Sequence, residues 1–244
     1  MKNRDSWQKD NYAKFWVEQV NKYGLDEYCK GLIELILSKN PSKVYELAIG
    51  TGWPFAISLS EKNVSVSGSD ISELLVKEIK SKYPAIDAVV QSYEDVLPNP
   101  EKQYDLVYCL RSTWYFPNIY KAFDAMFMLV KNNGYVVFDI MNKDSDYIKS
   151  MIKTHRLMFP LTMVKNLTKM VLNTFFRKDY LVQDIWNIHE IPVSPKDVEA
   201  YLDKQGVSFR KYSINQIRDN INSEFKDYGE FNSKVIYECQ FIKK

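Results

Sequence analysis

Apolar and polar positions alternate in blocks along the chain, and the blocks predict a succession of elements. Residues 1–30 read as polar helix with aromatics set into it at Trp7, Tyr12, Phe15, Trp16 and Tyr23. In GLIELILSKN, Leu32, Ile33, Leu35 and Ile36 recur at helical spacing and stop before Pro41. Strand and helix then take turns. KVYELAIG reads as a buried strand, GWPFAISLSEK as a helix, VSVSGSD as a β-branched strand and SELLVKEIKSKYP as an amphipathic helix. IDAVVQ is a third strand and YDLVYCL a fourth. The helix IYKAFDAMFMLVKNNG, with its Asn-Asn-Gly stop, leads to a fifth strand, YVVFDI. Alternation at this spacing predicts an α/β fold built on a doubly wound parallel sheet.

Beyond Asn142 the texture changes. The Met/Phe/Leu-rich run MIKTHRLMFPLTMVKNLTKMVLNTFF, interrupted by Pro160, is followed by the alternating stretch YLVQDIWNIHEI. Regularity returns in SPKDVEAYLDKQG, with Ser194 placed as N-cap and Pro195 as the first helical residue. VSFRKYSI and SKVIYECQFI close the chain as strands. One domain over 1–244 is expected, with an N-terminal helical cap (1–40), a core (41–142), an irregular insertion or lid (143–190) and a C-terminal part of the sheet (191–244).

Composition narrows the partners. With 33 Lys+Arg against 31 Asp+Glu the net charge is +2, so no basic stripe points to nucleic acid. No apolar run approaches the roughly 20 residues of a membrane span, and MKNRDSWQKD is too polar for a secretory signal, so neither a membrane partner nor export is expected, with a partner-binding or peripheral membrane role of the Met-rich run left open as the alternative to a substrate-covering cap. Cys29, Cys109 and Cys239 are odd in number and lack metal spacing, which suits a reducing cytoplasm and leaves no metal site expected.

The strongest chemical signal is Glu46-Leu47-Ala48-Ile49-Gly50-Thr51-Gly52, where a strand ends in a turn of small residues and a helix opens behind it. Small residues there let backbone N–H groups approach a ligand, and glycine adopts positive φ at no steric cost. Eighteen residues beyond Gly52 a second strand ends at Asp70, whose carboxylate can accept from both hydroxyls of a ribose. A dinucleotide site wants a third glycine for its pyrophosphate, and Pro54-Phe55 stands in that place. Glu46 before the turn favours instead a ligand carrying a sulfonium and an ammonium, as S-adenosylmethionine does.

On these residues the chain resembles the class I S-adenosylmethionine-dependent methyltransferases that act on small molecules. Glu46 to Gly52 is similar to that family's E-L-G-x-G-x-G loop, with Ala48 in place of the first glycine. The resemblance implies a Rossmann-like seven-stranded mixed sheet, its last strand antiparallel, with helices on both faces and an inserted cap. It makes Asp70 the ribose acid and sets Ile71 beside the adenine. Ser92, Tyr93 and Glu94 fall where the family contacts the adenine, with Ser92 replacing the usual Asp. Leu110 and Arg111 would lie beneath the methionine portion, and Tyr12 would come near it from the N-terminal helix. Together with Leu47, these are the expected cofactor residues.

Methyl transfer needs in-line approach to the sulfonium methyl and, for a protonated O or N nucleophile, a proton acceptor. The crevice beyond strands four and five offers Arg111, Trp114, Tyr115 and Asn142 as acceptor-binding candidates. Arg111 could hold an anion or pair with a nearby acid, Trp114 and Tyr115 could wall the site or fill the core, and Asn142 could bond a hydroxyl or shape a turn. The proton acceptor is sought among His189, Tyr115 and His155. His189 also shares a face with Ile185 and Ile191, the spacing of a structural histidine. A small polar metabolite, such as a sugar or nucleotide-activated sugar, is the expected substrate, with a homodimer open as an assembly. Two competing readings stand beside this one: a catalytically silent scaffold that binds the same cofactor, and a nicotinamide-dependent oxidoreductase.

Overall fold

The computed structural model describes residues 13–14, 16–18, 25–98, 103–177, 190–219 and 233–242. In chain order the elements are α1 (Glu27–Leu37), β1 (Lys43–Leu47), α2 (Phe55–Ser60), β2 (Ser65–Asp70), α3 (Glu73–Lys82), β3 (Asp87–Val90), β4 (Tyr104–Cys109), α4 (Ile119–Leu129), β5 (Val130–Met141), α5 (Asp146–Phe176), α6 (Pro195–Lys204), β6 (Ser208–Ser213), α7 (Ile214–Asp219) and β7 (Lys234–Gln240). Short 3-10 turns cover Tyr93–Asp95 and Thr113–Tyr115.

Seven strands form one sheet in the order β3-β2-β1-β4-β5-β7-β6. β1 runs parallel to β2 and β4, β2 to β3 and β4 to β5, whereas β7 is antiparallel to both β5 and β6. The expected mixed sheet with an antiparallel last strand is therefore present. Side chains alternate across it, so β1 sends Val44 into one core, with Leu32, Ile36, Val66, Leu106 and Ile236, and Tyr45 and Leu47 into the other, with Val107, Phe123, Phe138 and Tyr237. Buried on both faces, central strands read as continuous apolar runs.

Helix starts follow capping chemistry. The Asp26 carboxylate accepts from Cys29 N at 2.7 Å, and Ser72, Asn118 and Ser145 cap α3, α4 and α5 in the same way. Ser194 does precede α6 with Pro195 at its start, but its hydroxyl donates to Asp144 at 2.6 Å instead of capping.

Two expectations need correcting. The Asn-Asn-Gly segment does not end α4; the helix stops at Leu129, and Lys131–Gly134 bulge out within β5. Packing decides this, because a Cβ on Gly134 would sit 2.8 Å from the Asp105 carbonyl oxygen, a space only glycine allows. The insertion is not irregular either. Residues 146–176 form one 31-residue helix that continues through Pro160. A proline removes one helical N–H, and the turns on either side, with their own hydrogen bonds, carry the helix across the gap.

Candidate functional site

The carboxyl ends of β1, β2, β4 and β5 meet at one edge of the sheet, and the predicted residues collect there. Behind β1 the backbone takes positive φ at alternate residues, +62° at Ala48, +56° at Gly50 and +76° at Gly52. Alanine therefore adopts the conformation that the pattern reserves for glycine. Among the described residues, a Cβ on Gly50 would meet only the Trp16 indole nitrogen, 3.9 Å away.

Asp70 ties this loop to the end of β2. Its Oδ2 accepts from Gly50 N at 2.9 Å and its Oδ1 from Ser72 N at 2.9 Å. Each oxygen keeps a second lone pair for a ligand hydroxyl. Burial raises the Asp70 pKa, opposed by the amides of Ser72, Gly50 and Ile71. Glu46, buried, accepts from the Tyr108 hydroxyl at 3.0 Å. Burial pushes its carboxyl well above the ordinary range; the Tyr108 hydroxyl and the Ala56 amide oppose this, and the nearby Asp70 charge adds to it. Two carboxyl groups with raised pKa values beside a glycine turn suit a ligand that brings both hydroxyls and positive charge.

Beside Asp70, Gln91 N donates to the Asp70 carbonyl, so the segment after β3 borders the same crevice. Ser92 is buried and its hydroxyl accepts from Glu94 N at 3.3 Å, making it the cap of the short turn. Tyr93 packs against Phe116 with centroids 4.7 Å apart, and Glu94 lies 3.8 Å from Lys121. Leu47 and Leu110 are buried in opposite cores. Tyr12 lies outside the described residues.

Past β4 the chain turns through Arg111 at φ +59°. Its backbone N donates to Asp139 Oδ1 at 2.8 Å. Its guanidinium donates to Cys29 Sγ at 3.4 Å and lies 3.9 Å from Asp26. The paired alternative for Arg111 is thus the one the structure adopts. Asp139, fully buried, also accepts from the Tyr28 hydroxyl at 2.8 Å. Burial raises its pKa, opposed by the charge of Lys234, the Tyr28 hydroxyl and the Arg111 amide. The buried Lys234 ammonium stands 4.6 Å from the Trp114 ring and 5.6 Å from that of Tyr28. Trp114 is buried with Met141 and Ile148, and Tyr115, half-buried, packs beside it at 6.2 Å. Asn142 shapes a turn, its side-chain oxygen accepting from Asp144 N at 2.9 Å. His155 lies on α5, away from the strand ends in sequence, and His189 lies outside the described residues.

Sequence reasoning missed the Tyr28–Asp139–Lys234 cluster and the Tyr108 partner of Glu46. A signal was present, since Asp139 follows the apolar run Val136-Val137-Phe138 and Lys234 precedes Val235-Ile236, but nothing local pairs them. No group of His, Cys, Asp and Glu able to hold a metal ion occurs among the described residues. A hollow of about 430 Å³ near Tyr45, Ser67, Val89 and Leu129 lies on a face of the sheet rather than at its carboxyl end. The convergent polar groups are at the strand ends, so the site is placed there.

Strand order, the antiparallel β7, the glycine turn and the acid ending β2 together define the fold of the class I S-adenosylmethionine-dependent methyltransferases. A family model described as "Methyltransferase domain" matches residues 20–183, and the chain belongs to that family. Among solved structures it is similar to a possible histamine N-methyltransferase from Thermotoga maritima, at 17% identity and TM-score 0.56, covering 94% of this chain and 97% of that one. It is also similar to magnesium protoporphyrin IX methyltransferase from Synechocystis with bound S-adenosylhomocysteine, at 14% identity and TM-score 0.63, covering 98% and 97%. A plantazolicin methyltransferase in complex with a desmethyl substrate analogue and S-adenosylhomocysteine matches at 11% identity and TM-score 0.63, covering 99% and 96%. No protein of curated function matches this sequence.

Proposed function

We propose that this methyltransferase transfers a methyl group from S-adenosylmethionine to an O or N atom of a small polar acceptor, with sugars as the first class to test. The observation that carries the reading is the pairing of Asp70 with the Gly50 amide, which sets a ribose acid against a glycine turn beside buried Glu46. S-adenosylmethionine would supply an electrophilic methyl on a sulfonium. Asp70 would accept from the ribose hydroxyls, and Glu46 would receive the ammonium, with Leu47, Ala48 and Gly52 shaping the turn between them. Ile71, Ser92, Tyr93 and Glu94 would border the adenine, with Leu110 and Tyr12 toward the methionine.

The acceptor would enter across Trp114, Tyr115 and Asn142, where Asp139 holds the Arg111 backbone in its left-handed turn. Alignment and exclusion of water supply the main acceleration, and the acceptor proton leaves to Tyr115, His155 or His189. The similar structures are named for acceptors as different as magnesium protoporphyrin IX and plantazolicin, so the polar acceptor is argued from this chain's own rim.

Calorimetric titration with S-adenosylmethionine, S-adenosylhomocysteine and NAD tests the cofactor, followed by acceptor screening with labelled methyl donor. Micromolar binding of both adenosyl ligands without NAD binding is expected. Folded protein that binds neither would end the reading. Cofactor binding without turnover on any O or N acceptor would favour the silent scaffold instead.

A further inference from the structure

The methyl-transfer reading makes no use of the outer surface of α5. The helix is anchored at its start, where Ser145 caps it and Ile148 is fully buried beside Trp114 and Met141. Its 31 residues extend for about 46 Å. One side is covered, with Asn166 buried and Thr162, Met163 and Leu172 half-buried. The opposite side carries Leu157, Leu161, Val164, Val171 and Phe175, between 50% and 76% exposed, with exposed Thr168 in the same row between the two valines. A largely apolar row of this length marks a contact surface rather than a solvated face.

Two further observations identify the surface it meets. From Tyr147 to Lys178 the sequence holds seven Lys and Arg and no Asp or Glu. Helical geometry sets exposed Lys153 in line with the stripe at its N-terminal end and exposed Lys165 on one flank. Three of the four threonines of this segment also turn their hydroxyls inward. Thr162, Thr168 and Thr174 donate to the carbonyls of Met158, Val164 and Met170 at 3.2, 3.0 and 2.9 Å. Polar groups satisfied within their own helix are what an apolar medium requires, whereas water requires nothing of them.

We propose that α5 lies flat on a bilayer containing anionic lipids, with Leu157, Leu161, Val164, Val171 and Phe175 among the upper acyl chains and Lys153 and Lys165 at the headgroups. No helix among the described residues is long and apolar enough to cross a membrane, so the helix lies on the surface rather than spanning it. A second copy of the chain fits less well. Exposed Met158 and Leu167 broaden the apolar arc beyond a single helix-pairing seam, and two such helices would bring like charges together. Anionic headgroups complement the charge, and acyl chains accept an arc of any width.

Flotation of the full chain with vesicles of phosphatidylcholine alone, or of phosphatidylcholine mixed with phosphatidylglycerol, tests the proposal. Binding to the mixed vesicles is expected, with little to the neutral ones and a steep loss in high salt. L161D/F175D abolishes flotation, and K153E/K165E lowers it at least roughly tenfold, because each reversal replaces attraction by repulsion. Both variants keep S-adenosylmethionine affinity and thermal midpoint, a readout independent of the membrane. Four results overturn the proposal: no flotation with anionic vesicles, flotation indifferent to both variants, a wild-type dimer that L161D/F175D dissociates, or a large loss of thermal stability in L161D/F175D. The third would mean that a second copy covers the stripe, and the fourth that a segment of the same chain does.

Discussion

The two halves of the strand-end crevice are built differently. The half beside β1 and β2 is made of backbone and near neighbours, since the Asp70 carboxylate grips Gly50 N and Ser72 N within a span of about twenty residues. In the half beside β4, β5 and β7, side chains meet across the whole chain. Tyr28 and Asp139 are 111 positions apart, and Lys234 comes from the last strand. A ligand common to many proteins can be held by a short turn whose geometry small residues dictate. An acceptor peculiar to one protein is met by side chains that only the assembled fold brings together.

The largest effect that would break this contrast is in the second half. Asp139→Ala removes the buried acceptor shared by the Tyr28 hydroxyl and the Arg111 amide. Stability should fall by about 3–5 kcal/mol in denaturant unfolding, because two buried donors lose their acceptor at roughly 1–3 kcal/mol each. A change below about 1 kcal/mol would mean that the cluster is solvated and organises nothing.

In the first half, Asp70→Ala should cost roughly 2–3 kcal/mol of S-adenosylmethionine affinity, measured calorimetrically, with a smaller effect on folding. Affinity equal to that of the wild type would remove Asp70 from the site.

The smallest effect concerns protons. Burial raises the pKa of Glu46 in the folded chain, so an ammonium ligand must drive it to ionise. Affinity should rise with pH through the raised value, by at most about tenfold per unit, with proton release on binding. Glu46→Gln should flatten the profile. For stability the sign is opposite. A carboxyl whose folded pKa lies above its unfolded value contributes stability fully below the unfolded pKa, and that contribution is lost as pH rises through the folded one. Glu46, Asp70 and Asp139 all shift upward, so their joint contribution favours the ligand-free chain at mildly acid pH over neutral. Thermal melts across pH, with and without cofactor, would separate the two slopes.

Much of the molecule was legible before folding. Periodicity set the strand–helix alternation from β1 to β5, and the loop from Glu46 to Gly52 with Asp70 located the crevice, because turns and caps depend on residues a few positions apart. The insertion was not legible in the same way. Pro160 argued for a break, and nothing local announces that a helix will continue through a proline once its first turn is anchored on Trp114 and Met141. The bulge before Gly134 was hidden for a related reason, since the Asp105 carbonyl that excludes a side chain there belongs to another strand.

What the sequence determined by itself is therefore the sheet, its glycine turn and the acid that ends β2, all consequences of short-range sterics and hydrophobic alternation. Tertiary structure alone decided where the charges in strands five and seven go. Asp139 and Lys234 could each have faced solvent; Asp139 is buried where the Tyr28 hydroxyl and the Arg111 amide donate to it, and Lys234 where the Tyr28 and Trp114 rings stand near its ammonium. The course of α5 was settled in the same way, since its first turn is fixed by Ile148 packing with Trp114 and Met141, residues outside the helix.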